Sequence, residues 1–164
     1  MGEYEIFVGG QNDVFNGTMK STRNRYRAEN PDRTATYVRH NQDRALHAEL
    51  KRGMQSGEPI NVICHSRGCN TAMREIEHTG ISVATLVTLD PVAEGSRSHS
   101  VGWTGDKPPN VDNWVNVDAS RATSDLSNIV ANVGDTYSGD FPTQGSDTSH
   151  VVDADHDQTT LRTV

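Results

Sequence analysis

Long apolar runs are missing from this sequence. No stretch reaches the roughly 18 apolar residues needed to cross a bilayer, which excludes an integral membrane helix. From Met1 the chain enters a strand with no basic region, no extended apolar segment and no small-residue cleavage site. A Sec leader is therefore not expected, and the expected location is cytoplasmic, or outside the cell by a route without such a leader. Cysteine is scarce as well. Cys64 and Cys69 flank one serine on different elements, and so close a pair makes neither a disulfide framework nor a complete metal site. They read as small packing residues, and neither a metal nor a cofactor is expected. A basic stripe is also lacking: 15 Lys and Arg are scattered among 22 Asp and Glu, for a net charge of -7. Such a chain repels a phosphate backbone, so nucleic acid is excluded as an expected partner.

Hydrophobic residues make up only 33% of the 164, with a mean hydropathy of -0.67, values low enough to raise disorder as an alternative. The apolar residues, however, concentrate in short β-branched runs at residues 5–8, 60–64, 81–89 and 114–117, which is how buried strands read. A shorter run at 34–38 reads as another strand. Between them lie helical stretches at 16–28, 41–54 and 68–78, the second carrying Ala45, Leu46, Ala48, Leu50 and Met54 near the 3.6 period. Strands alternating with helices predict one domain over residues 1–164, with a mostly parallel sheet of about five strands and helices on both faces. Residues 92–111 form a long Gly, Ser and Pro rich loop of the kind that lies over a site. The polar remainder holds one weak helix, at 124–133.

In parallel sheets of this kind ligands sit beyond the carboxyl ends of the strands. At one such end stands Cys64-His65-Ser66-Arg67-Gly68. A serine on a sharp strand-to-helix turn has its hydroxyl exposed above the sheet, and the turn demands small neighbours, which is the basis of the Gly-x-Ser-x-Gly signature. Here cysteine replaces the first glycine. The apolar run before it and the helical Asn70 to Arg74 after it supply the right context, so Ser66 is the candidate nucleophile. The competing reading is an ordinary turn whose serine caps the following helix. His65 reads as a wall of the turn.

A serine hydroxyl needs an imidazole to take its proton and a carboxylate to orient that imidazole, in the chain order Ser, Asp, His for this fold. Asp90 stands at the tip of the next strand, with Pro91 locking the backbone behind it, and is favoured over Asp118 at the tip of the one after. Among seven histidines, His156 and His150 fall late enough in the chain. His156, with carboxylates on both sides, is favoured, and His150 is the alternative. The oxyanion needs two donors. These are expected to be the Arg67 N–H and an N–H of Gly10 or Gln11 in the turn after the first strand.

These residues, with Leu89-Asp90-Pro91-Val92, Asn113 to Val117 and the late His156, resemble small bacterial and phage-associated α/β-hydrolases of the lipase and esterase type. The resemblance implies a reduced α/β-hydrolase fold without a cap domain, in the strand order second, first, third, fourth, fifth. It also implies the triad Ser66, Asp90 and His156 and a small-molecule or lipid carboxylic ester as substrate. A thioesterase or acyltransferase would use the same triad. A binding module on an inactive hydrolase fold is the reading from another class.

Overall fold

The computed structural model describes residues 2–11, 13, 17–92, 106–119 and 145–152. Along the chain run β1 (Tyr4–Gly9), α1 (Thr18–Glu29), β2 (Thr34–Arg39), α2 (Asp43–Ser56), β3 (Ile60–His65), α3 (Arg67–Thr79), β4 (Val83–Leu89), β5 (Val111–Ala119) and β6 (Thr148–Val152). The six strands form one sheet in the order β2-β1-β3-β4-β5-β6, and every pairing is parallel.

Crossovers between parallel strands are right-handed, and this decides where the helices lie. The chain moves one way across the sheet from β1 to β2, then reverses to reach β3, β4 and β5. Right-handed connections therefore put α1 on one face and α2 and α3 on the other. Two apolar clusters follow. The larger joins Leu46 and Leu50 of α2 and Cys69, Ala72, Met73 and Ile76 of α3 to Ile6, Val8, Val62, Leu86 and Trp114 of the sheet. The smaller packs Met19 of α1 on Phe7, Ala35, Leu89 and Val117, with Tyr26 beside them. Leu46 and Leu50 are fully buried, each contributing about 1.5–3 kcal/mol of transfer free energy. With helices on both faces, β1 is buried at all six positions, which accounts for its largely apolar sequence, with Glu5 the one charged residue.

Helices α2 and α3 end on Gly57 and Gly80, which take the left-handed conformation and turn their N–H groups back to Met54 O and Ile76 O. A side chain is strained there and glycine is not.

The sheet is one strand larger than the apolar runs predict. β6 is exposed at four of its five positions, so its sequence carries little of the apolar signal that marks the inner strands. Asp147 holds it in place. Its Oδ2 accepts the Trp114 N–H at 2.7 Å and lies 2.9 Å from Lys107 Nζ, and its own N–H donates to Trp114 O at 2.9 Å. The expected helix at 124–133 and most of the loop at 92–111 lie outside the described residues.

Candidate active site

Strand order reverses between β1 and β3, and the crevice at such a point, beyond the carboxyl ends of the strands, is where ligands enter sheets of this class. Two turns meet there. One is Gly9-Gly10-Gln11 after β1. The other is Ser66, which joins β3 to α3.

Ser66 has φ 53° and ψ -132°, a backbone state that costs a non-glycine residue on the order of 1–3 kcal/mol. The turn is pinned by the Ser66 N–H donating to Leu89 O at 3.0 Å, and by the Cys69 N–H donating to Ser66 O at 3.0 Å. The Ser66 side chain makes no cap hydrogen bond to α3, so its hydroxyl is not used as a helix cap. Gly68 explains the close fit of the turn. A Cβ there would fall 2.7 Å from both Val8 O and Gly9 O, so only glycine lets α3 begin this near β1. Gly10 is placed by the same logic from the other side: its Cβ would lie 2.8 Å from Ser66 Cβ and 3.0 Å from His65 O. Cys64, in place of the first glycine of the signature, is fully buried against the helices and directs its thiol to Val87 O at 3.4 Å. Cys69 is also buried, and burial pushes its thiol well above the ordinary value.

Arg67 is the first residue of α3, so its N–H belongs to the first turn, where backbone donors have no partner inside the helix. No acidic side chain occupies that turn, which leaves the positive end of the helix dipole facing the crevice. Gly10 is buried and Gln11 exposed beside it.

Asp90 also has a positive φ, 43°. Its N–H donates to Val117 O at 2.6 Å and its Oδ1 accepts the Ala119 N–H at 3.1 Å. Asp118 receives the Asn116 side-chain N–H at 2.8 Å. Burial raises the Asp118 carboxyl above the usual range, the Asn116 bond opposes this, and the Asp90 carboxylate adds to the rise. The two carboxylates thus sit near each other at the tips of β4 and β5. Asn116 also accepts from Thr88 Oγ1 at 2.7 Å, and Thr88 from the Trp114 indole at 3.1 Å. A buried polar chain therefore runs from the core to Asp118.

His150 is not brought to the serine. It is exposed on β6 and level with Val117, and three strand spacings put β6 about 14 Å from β3, too far for an imidazole to reach. His156 lies outside the described residues.

Sequence reasoning missed Asp13 and Tyr37. Asp13 is 6% exposed. Its Oδ1 accepts the Met19 N–H and its Oδ2 accepts the Tyr37 hydroxyl. No local pattern signals this, because the partners come from separate elements. A cavity of about 270 Å³ on the α1 face is lined by Glu5, Phe7, Asn61, Ile63, Val87 and Leu89, among others. Among the described residues, no three His, Cys, Asp or Glu side chains are grouped so as to hold a metal ion, and no helix is long and apolar enough to cross a membrane.

No protein-family model and no curated protein matches the chain. Among solved structures it is similar to YbtT, a type II thioesterase from a yersiniabactin biosynthetic pathway, with a TM-score of 0.51 and 14% identity over 96% of this chain and 87% of that one. A serine-to-alanine mutant of YbtT gives the same values. At this identity the likeness concerns the fold alone, and it agrees with a parallel six-stranded α/β sheet carrying helices on both faces.

Proposed function

We propose that this protein is a serine hydrolase that cleaves carboxylic esters through an acyl-enzyme on Ser66. The observation that carries the reading is the left-handed Ser66 turn at the reversal of strand order, tight enough to require both Gly10 and Gly68. Ser66 Oγ attacks the carbonyl carbon while an imidazole takes its proton. The oxyanion is held by the Arg67 N–H and by an N–H of Gly10 or Gln11. The imidazole then protonates the leaving group, and water, activated by the same base, releases the acid. His156 is assigned as that base from its place late in the chain, and Asp90 as the carboxylate that orients it, with Asp118 as its neighbour.

Thioester hydrolysis is the second reading, favoured by the fold shared with a thioesterase. Both are tested together by assaying wild-type protein and Ser66→Ala on a short p-nitrophenyl ester and on an acyl thioester of similar chain length. The ester or thioester turnover of the wild type should fall by about a thousandfold or more in Ser66→Ala. The ratio of the two wild-type rates separates the two substrates. Undiminished turnover in Ser66→Ala sinks the nucleophile assignment. A wild type that turns over neither substrate and takes no fluorophosphonate label at Ser66 supports the inactive binding module instead.

A further inference from the structure

We propose that Asp13 and Tyr37 are positioning residues that fix the turn after β1, and with it the Gly10 and Gln11 N–H groups, against Ser66. This rests on the serine hydrolase reading above.

A carboxylate as buried as Asp13 is stable only when its oxygens are partnered, and here each oxygen is held by a different element. The Met19 N–H comes from the first turn of α1 and the Tyr37 hydroxyl from β2. The Asp13 main chain closes the loop, its N–H donating to Gly10 O at 3.3 Å and its carbonyl accepting the Gly17 N–H at 3.0 Å. One residue thus ties the turn to β2 and to α1 at once.

Each glycine of the pair has its own reason to be glycine. A Cβ on Gly9 would lie 2.6 Å from Asp13 Oδ2 and 2.7 Å from the Tyr37 hydroxyl, so that space is taken by the pair; a Cβ on Gly10 would strike Ser66. The contacts form a continuous line from Tyr37 through Asp13 and the two glycines to the nucleophile. Capping α1 explains one oxygen of Asp13, since Gly17 provides no side-chain cap there. It does not explain the Tyr37 bond, which adds nothing to the helix. That second bond fixes the carboxylate over the turn, and donors on both oxygens blunt a charge that would otherwise oppose a developing oxyanion nearby.

The test compares wild type, Tyr37→Phe, Asp13→Asn and Asp13→Ala by steady-state kinetics on the better of the two substrates above, with Tm measured for each. Displacing a donor by a fraction of an ångström is read in turnover. Tyr37→Phe and Asp13→Ala should lower kcat by about tenfold to a hundredfold with KM within about twofold, while Asp13→Asn, whose oxygen still accepts the Met19 N–H and whose amide N–H can donate to the Tyr37 oxygen in place of the original bond, stays within about threefold of wild type. A merely structural role predicts lower Tm with kcat per folded molecule unchanged, and that result overturns the proposal. So does a rise in KM with kcat intact. If Asp13→Ala does not fold, Tyr37→Phe, which keeps the ring, decides. A Ser66-dependent wild type with an unaltered Tyr37→Phe overturns this proposal alone, whereas a wild type without Ser66-dependent turnover overturns the hydrolase reading and this proposal together.

Discussion

Holding Ser66 at φ 53° opposes folding, and the surrounding contacts must outweigh that strain. Glycine relaxes at this φ and ψ, so Ser66→Gly is expected to stabilise the protein by about 1 kcal/mol in urea denaturation while abolishing turnover. A lower urea midpoint in that variant would show that the turn is not strained. The serine was legible in the sequence because strand, small residue and helix follow one another within a few positions, and Gly68 is the part of the motif that the geometry accounts for most directly. Asp13 and Tyr37 were not legible for the opposite reason. They lie 24 residues apart and meet only because β1 and β2 run side by side with Phe7 level with Tyr37.

Among the elements, the inner strands were readable because both of their faces are covered, and β4 ends where its apolar run ends, at Leu89, while starting two residues after the run does, at Val83. β5 begins earlier than its run, since Asp112 and Asn113 belong to the strand but are exposed. β6 went unread altogether: four of its five positions are exposed, on both faces of the sheet, so burial imposes no apolar pattern on it. For α1 the apolar face is thin, with only Met19 and Thr22 buried, and it is placed instead by the crossover rule. Since Asp147, just before β6, bonds Trp114 of β5 and Lys107, Asp147→Ala should release that corner first. Hydrogen exchange at the β6 amides is expected to quicken while the amides of β1 and β3 keep their protection. Equal acceleration throughout the sheet would show that β6 is not held locally.

For the molecule as a whole, buried carboxyls shape the dependence of stability on pH. Burial raises Glu5 above its ordinary value, opposed by hydrogen bonds from Asn61 and Tyr26, and Asp118 is raised as well. A raised carboxyl binds more protons in the folded than in the unfolded state, so stability rises as pH falls from neutral through its folded value and levels off below the ordinary carboxyl range. Asp147, lowered by Lys107 and by the Trp114 N–H, acts in the other direction and loses its contribution as pH falls through its folded value. Glu5→Gln keeps an acceptor for Asn61 and Tyr26 without the charge. It should have a higher Tm than wild type at pH 7, with the gap narrowing toward pH 4, and a gap independent of pH would rule out Glu5 as a source of this dependence. Strand order has a further consequence, for the newborn chain. β1 is made before β2 and β3, yet it is paired on both sides, by β2 and by β3. Until His65 has left the ribosome, the most deeply buried of the described strands has one edge with nothing to bind, which makes the nascent chain a natural client for chaperones.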